Sequence, residues 1–512
     1  MGGQRTALIL LLILCFLVAS IPEICIVKAE STISIRADGS VEGTDDIERV
    51  GDVYTLRGNI EGSILVERDD IVIDGAGYKL QPSGDMDNIG IDLRDKNNVT
   101  VKNLRIEGFL GTCGILLIDN VNCHIIRNNL TDNFIAIEMT GSSSRNRIAE
   151  NHVQNNSAGM EIYSTNPGSY NVISENEVSN NHVGIQIKNF LYTNISGNRL
   201  TSNTWGLGLG VGSGSTAKDN VMNDNTYGFR SFNVQAINVD VDTSNTVNGK
   251  PIYYWVNQHN KTMPADACYV ALIGCTNITV KNLNLTGNLE GVFLGSTTNS
   301  TITGNRISNN MNGVTFDASS NNTVTENTIT NNENGISLRW SSSNNTVYGN
   351  DITANNSTGI YIAESESNSI IGNNITSSSR GIYTEYCGVN ILHHNNFINN
   401  TKQWDDIGFT PWPIPLQISV SIWDDGKEGN YWSDYEDKYP NATELDSSGV
   451  WNTPYVLDEN NKDNYPLMKP FIIPEFPSWT SILLILTMLS VALAFYKRKL
   501  HPKTSLNESQ TF

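Results

Sequence analysis

The stretch Asn334-Gly-Ile-Ser-Leu-Arg-Trp-Ser-Ser-Ser-Asn-Asn-Thr-Val-Tyr-Gly-Asn-Asp-Ile-Thr-Ala-Asn-Asn-Ser-Thr-Gly-Ile360 opens on an Asn-Gly-apolar signature and closes as the next one begins. It holds three short alternating runs, Gly335-Ile-Ser-Leu, Asn345-Thr-Val-Tyr and Asn350-Asp-Ile-Thr. Ser, Asn and Gly separate them, residues that disfavour helix and favour turns. Alternation sends Ile336, Leu338, Val347 and Ile352 to one side of the chain and their neighbours to the other. A single unit cannot cover that apolar side, so it must stack on copies of itself.

Copies are present on both sides. Gly-apolar-x-apolar recurs at Gly90, Gly114, Ala136 (small in place of Gly), Gly159, Gly184, Gly206, Gly228, Gly291, Gly313, Gly335, Gly359 and Gly381, spaced 22 to 25 residues apart with one interruption after Gly228. Asn-x-apolar keeps the same phase, as at Asn128, Asn151, Asn176, Asn198, Asn220, Asn305, Asn327, Asn350, Asn373 and Asn395. A leucine-rich repeat of this period needs several leucines per unit, and a helical repeat needs ten or more residues of helical periodicity; neither is present. The sequence therefore predicts an all-β fold, a parallel β-helix of about a dozen coils, each about 4.8 Å above the last and together a rod roughly 60 Å long. Each inward Ile, Leu or Val contributes roughly 1.5–3 kcal/mol on burial. The repeated Gly is expected to supply a positive φ where the chain enters a strand. The repeated Asn is expected to build a stacked amide ladder along one corner.

The ends and the interruption set the remaining boundaries. Arg5, the apolar run 7–20 and Val27-Lys28-Ala29 read as a secretory signal peptide over 1–29. An N-terminal cap is expected over 30–69, the first part of the β-helix over 70–246 and the second over 271–401. Between them, Asn248-Gly-Lys-Pro-Ile-Tyr-Tyr-Trp-Val-Asn-Gln-His-Asn-Lys-Thr-Met-Pro264 suggests an insertion over 247–270 that projects from the rod. Beyond Lys402 the repeat stops and tryptophans cluster, which marks a C-terminal cap over 402–470. A Pro-rich connector follows over 471–478. The apolar run 479–496 with Lys497-Arg498-Lys499 predicts a transmembrane segment and basic stop over 479–499, and a cytoplasmic tail over 500–512. The formal charge of −20 repels nucleic acid and attracts cations. Of seven cysteines, Cys113, Cys123, Cys268, Cys275 and Cys387 remain after the signal, an odd number without zinc spacing, which leaves local disulfides or buried thiols.

Coils of the form Asn-x-Ile…Asn-x-x-Gly-Ile-x-Leu, over roughly 50–400, resemble the right-handed parallel β-helix repeats of the NosD-like, carbohydrate-binding and sugar-hydrolase group. The block Trp423-Asp-Asp-Gly-Lys-Glu-Gly-Asn-Tyr-Trp-Ser-Asp-Tyr435 looks like the C-terminal region of archaeal members. Pro474-Glu475-Phe476, ahead of the apolar run, is similar to the PEF-type sorting signal of archaeal surface proteins. That resemblance implies cleavage by an archaeosortase and a lipid anchor; the alternative is a plain membrane anchor, and both place the β-helix outside the cell.

Counting from each Gly, positions +2 and +4 should face solvent and stack into rows. Glu138 above Glu161 can form a carboxylate pair of the kind that a retaining glycosidase or Ca²⁺ would use, or remain two solvated acids eased by Lys188, with Tyr163 alongside. Asp317 beside Arg339 suggests a surface ion pair. Tyr361 over Tyr383, with Trp340 and Glu385 near, suggests either a sugar-stacking platform or an aromatic ladder. Polygalacturonases and pectate lyases need clustered Asp, or Asp with a basic residue, on one face; no such set is evident. Asp446, Asp458, Asn460 and Asp463 offer oxygen ligands for Ca²⁺ in the cap, although their spacing fits no EF-hand. No cofactor is required. Copper, which the NosD name suggests, is disfavoured because strand alternation would send the adjacent pair His393-His394 to opposite faces. The expectation is an exported, surface-anchored protein that binds extracellular polysaccharide or envelope components without catalysis; a polysaccharide lyase, epimerase or hydrolase and a purely structural envelope rod are the alternatives.

Overall fold

The computed structural model describes residues 32–84, 89–164, 168–210, 212–231, 239–406 and 419–472. The signal segment, Pro474, Glu475, Phe476 and the apolar run 479–499 lie outside them. Among the described residues, no helix is long and apolar enough to cross a membrane.

The chain winds into a parallel β-solenoid of about 15 turns. In the quoted stretch, Asn334–Arg339 pairs in parallel with Asn312–Asp317 on one side and Thr358–Ala363 on the other. Ile336 lies in register with Val314 and Ile360, Val347 with Val324 and Ile370, and Ile352 with Ile329 and Ile375. All of these side chains are fully buried.

The turns exceed the expected dozen because the N-terminal region already coils. Thr32–Ile35 pairs in parallel with Ser63–Val66, and Val53–Leu56 with Val72–Asp74. Only its outermost pieces fold back, Val41–Glu42 on Thr32–Ile35 and Ile47–Val50 on Val53–Leu56, both antiparallel. Folding back covers the first strands, which would otherwise offer an open sheet edge.

Two kinds of repeated residue hold the coils in register, and one acts differently from expectation. The repeated Gly of Gly-apolar-x-apolar is not in the positive-φ region; it is there because the next coil passes too close for a side chain. A Cβ on Gly359 would lie 2.7 Å from the carbonyl oxygen of Gly381 and 2.7 Å from Ile375 Cγ2. Positive φ is needed elsewhere, at the residue just before each ladder Asn: Gly197, Gly304, Gly349 and Gly372 have φ of 63 to 67°, and Arg127, Glu326 and His394 adopt 57 to 59° at the same point. The Asn ladder itself forms, and in more than one copy. In the corner series Asn305, Asn327, Asn350, Asn373 and Asn395, each Nδ2 donates to the next Oδ1 at 2.9 to 3.0 Å. Asn128 to Asn220 continues the theme in the first part, and Asn322, Asn345, Asn368 and Asn390 form a further series. These amides are buried, and each also bonds backbone groups, which satisfies them without water.

The interruption does not project. Lys250–Val256 pairs in parallel with Tyr269–Ile273, and His259–Thr262 with Thr276–Lys281, so the segment expected as an insertion supplies the opening strands of the second part. A tight antiparallel contact with Thr246–Val247 joins the parts. Tyr269–Ile273 is buried on both sides: Tyr269, Ala271 and Ile273 belong to the core of the first part, Val270 and Leu272 to that of the second. Phe293, which alternation placed in a solvent-facing row, is consequently buried in the first core.

At the other end, Lys402–Asp406 and Tyr431–Trp432 still add strands to the column before the cap closes it. Phe397, Trp432 and Tyr455 then stack face to face at centroid distances of 4.4 and 4.3 Å, and Trp451 lies flat on Tyr435 at 4.9 Å. All five cysteines of the described chain are free and buried. Burial pushes their thiols up, Cys268 to about 11, so they behave as small apolar residues and not as nucleophiles.

Candidate functional site

The strands that begin at the repeated Gly form one sheet in each part, and the candidate residues fall on these sheets in distinct groups. In the second part, Tyr361 and Tyr383 are register partners whose rings stack at 5.2 Å with planes 12° apart. Tyr361 donates its hydroxyl to Glu385 at 2.7 Å; burial, then that carboxylate, pushes the phenol up, so it stays protonated and donating. The Arg380 guanidinium sits 4.7 Å over the Tyr383 ring and pairs with Asp405 at 3.0 Å. Trp340 stands half exposed at the turn after Arg339, with φ of 52°, rare for a bulky residue, and the Arg339 guanidinium lies 5.1 Å from its ring. Stacked rings, a carboxylate and a guanidinium thus meet on neighbouring coils, with Trp340 at the turn beyond Arg339.

Asp317 and Arg339 form the expected pair, but it is not a surface pair. Arg339 donates Nε and Nη2 to the two carboxylate oxygens at 2.9 and 3.1 Å, and Asp317 is only 4% exposed. Burial raises the Asp317 carboxyl, and the Arg339 fork opposes this. Thr315 and Ser337, on the same face, are buried too.

Sequence reasoning counted only the +2 and +4 rows and so missed Glu290, directly before Gly291. Its side chain is buried and accepts a hydrogen bond from Tyr269 at 3.4 Å. Burial pushes its carboxyl up to about 8, against the pull of the Arg230 and Arg339 guanidiniums. The −1 row carries a second group that was missed, Trp205 against Tyr227 at 4.7 Å, with Arg230 5.9 Å over the Trp205 ring. Gly208 lies in register between Gln186 and Arg230 and leaves a shallow hollow beside these rings. At a neighbouring corner the exposed Tyr170 and Tyr192 stack at 5.0 Å.

In the first part, Glu138 and Glu161 are register neighbours, as the repeat implied. Tyr163 donates to Glu138 at 2.9 Å and is itself the register partner of Lys188. Burial, followed by the charge of Glu138, pushes the Glu161 carboxyl up, while Lys188 draws it down.

The cap acids do not assemble as a cation site. Asp463 is buried and accepts from the Asn430 and Trp432 nitrogens at 2.7 and 2.8 Å; burial pushes its carboxyl up to about 7. Asp458 accepts from the backbone of Asn460 and Asn461, while Asp446 sits exposed in a turn. Among the described residues, the group with spacing suited to a metal ion is instead His393, His394 and Asp425. Alternation predicted that the two imidazoles diverge. They do not, because His394 takes a φ of 59° and leaves the strand, which brings the two Nδ1 atoms to 2.9 Å. Gly349 and Gly372, at the same point of earlier coils, were the sequence signal for that turn.

A parallel β-solenoid with aromatic and charged rows on its outer faces is the class these features define. The chain belongs to the NosD family, described as periplasmic copper-binding protein, whose model matches residues 57–253 and 234–437. His393, His394 and Asp425 fit the donor set that such an ion requires. No curated protein matches the chain. Solved structures similar to it include a periplasmic alginate epimerase (15% identity, 74% of this chain and 79% of that one, TM-score 0.26). An alginate lyase from Paenibacillus sp. is similar at 14% identity over 54% and 94%, TM-score 0.31. The A-module of a mannuronan C-5 epimerase from Azotobacter vinelandii is similar at 12% identity over 69% and 90%, TM-score 0.27. TM-scores this low carry no weight for fold or reaction, and the architecture stands on the strand pairing alone.

Proposed function

We propose that this is an exported, surface-held β-solenoid whose outer face binds an extended extracellular polysaccharide without altering it. The Tyr361/Tyr383 pair carries the proposal: two half-buried rings stacked on each other at one-coil spacing, with Glu385 and Arg380 beside them. The coil rise of about 4.8 Å is close to the length of one pyranose residue, so a glycan laid along the column advances about one residue per coil. The outward ring edges pack on the apolar CH groups of sugars, and the flanking charges accept from and donate to hydroxyls or carboxylates. Export accords with the periplasmic description of the family. The anchor is assigned to the segment that begins at Pro474, by sorting or by retention of the apolar run; mass spectrometry of the mature C-terminus distinguishes the two.

A second reading, a sugar-active enzyme, is favoured by one observation. Glu138 and Glu161 are register neighbours, two carboxyl groups on adjacent coils as glycoside chemistry demands, and burial pushes the Glu161 carboxyl up. A glycan array with parallel assays for reducing ends and unsaturated uronates decides between them. Binding without turnover, weakened about two- to tenfold in Tyr361→Ala, supports the binding protein. Turnover that is lost in Glu161→Gln replaces it with the enzyme, and neither binding nor turnover leaves a structural rod.

A further inference from the structure

We infer that Asn299, Asn321 and Asn344, one above another along a corner of the second part, are sites of N-linked glycosylation, each joined through Nδ2 to the reducing end of an oligosaccharide. The inference rests on the export reading above and not on glycan binding by the tyrosine pair.

In five successive coils the same corner carries an Asn-x-Thr acceptor triplet: Asn260-Lys-Thr262, Asn277-Ile-Thr279, Asn299-Ser-Thr301, Asn321-Asn-Thr323 and Asn344-Asn-Thr346. The five threonines are register partners from coil to coil, Thr262 with Thr279, then Thr301, Thr323 and Thr346. Each asparagine takes a φ of 53 to 60° and is exposed. In the last three triplets the middle residue, Ser300, Asn322 or Asn345, is buried, so the asparagine before it and the threonine after it both face outward.

The fold does not dictate this pairing. A left-handed corner favours Asn and a strand favours Thr, yet the same corner of the first part is filled by Asn122, Arg145, Tyr170 and Tyr192, at φ of 49 to 62°. Two residues on from each, His124, Arg147, Val172 and Asn194 keep the same coil-to-coil register, and none of them completes a triplet.

The acceptor amides differ in what a sugar displaces. Among the described residues, the side chains of Asn299, Asn321 and Asn344 make no hydrogen bond within the protein. Asn277 instead donates Nδ2 to Asn260 at 2.7 Å, which makes these two the weaker acceptors of the column. Asn355-Asn-Ser357 has the same triplet form, but Asn355 is 1% exposed and its Oδ1 accepts from Asn332 at 3.2 Å, so it has no room for a sugar and stays bare. The donor is an oligosaccharide carried on a polyprenyl phosphate or pyrophosphate. The Asn Nδ2 attacks its anomeric carbon; the N–C bond forms as the C–O bond to phosphate breaks, the Nδ2 proton passes to solvent, and the lipid phosphate leaves. The sugars then root about 4.8 Å apart along the sheet that runs from His259–Thr262 through Thr346–Tyr348. Tyr361 and Tyr383 lie in a different sheet and stay open.

The test is peptide mass spectrometry with electron-transfer fragmentation on the whole chain purified from its source organism. Glycan masses are expected on Asn299, Asn321 and Asn344, and none on Asn355. Asn321→Gln and Thr323→Val should each abolish the glycan at 321 and leave those at 299 and 344, whereas Thr323→Ser should keep all three; circular dichroism checks that each variant is folded. The same spectra read the mature N-terminus. Three bare asparagines on a chain that has lost residues 1–29 overturn this inference alone, and on a chain that retains them they overturn the export reading with it. A glycan on Asn355, or one on Asn321 that persists in Thr323→Val, also overturns it.

Discussion

The first and second parts of the column obey the same interior rules and present different exteriors. Inside, Asn198 on Asn220 and Asn350 on Asn373 make the same amide contact at 2.9 and 3.0 Å, and Ile185 is as fully buried as Ile360. Outside, the first part carries Glu138 and Glu161 in a polar row and the second carries the Tyr361/Tyr383 stack, a buried ion pair and the histidine pair at its end. Stacking demands repetition only of the residues that touch across coils, so outward positions are free to differ. Functional candidates consequently sit where repetition fails: on the outer rows, at the junction of the parts, and in the last coil.

The largest effect that would sharpen this contrast is loss of the Asp317–Arg339 pair of the second part. Arg339→Ala leaves Asp317 buried and uncompensated, and should destabilise by about 3–5 kcal/mol in urea denaturation; a change below 1 kcal/mol would return the pair to the surface class. Interior equivalence comes next. Asn198→Ala and Asn350→Ala should each cost about 1–3 kcal/mol, because each strands buried donors and acceptors. Hydrogen exchange should show the loss of protection confined to the altered part, and unequal costs would break the equivalence of the two interiors.

At the junction, pH separates the parts. Glu290 holds a proton in the folded chain up to about pH 8, while its ordinary value is 4.5. Between those values the unfolded chain binds fewer protons, so stability is full below about pH 4.5 and falls as pH rises towards 8. Glu290→Gln should flatten much of that decline between pH 5 and pH 8, with a remainder from Asp463, whose carboxyl is pushed up to about 7 in the same direction. An unchanged decline would show that Glu290 is not the buried acid responsible. The smallest effect belongs to the first part's row: Tyr163→Phe removes one exposed hydrogen bond to Glu138 and should change stability by no more than about 1 kcal/mol.

How much of this was legible follows from which interactions are local. Period-two alternation placed Ile336, Val347 and Ile352 inside, because strand geometry alone decides it. The Asn ladder was legible for the same reason, one residue type recurring at one phase. The reason for the repeated Gly was not, since it depends on the carbonyl of the next coil at Gly381 and not on the backbone conformation at Gly359. Burial of Phe293 and the integration of 250–256 were hidden because they depend on how the two parts meet. The tyrosine pair was found from its row, Glu290 was missed one residue outside the rows counted, and the histidine pair was dismissed by an alternation that His394 breaks.

Every exposed row follows from coil-to-coil register, and cross-linking tests it most directly. A Ser337→Cys/Tyr361→Cys variant pairs adjacent coils at register partners, and mild oxidation should close a disulfide in high yield, since the five thiols among the described residues are buried. Ser337→Cys/Tyr383→Cys spans two coils and should not close. A disulfide in the second variant, or none in the first, would contradict the stacked register and the outer face built on it.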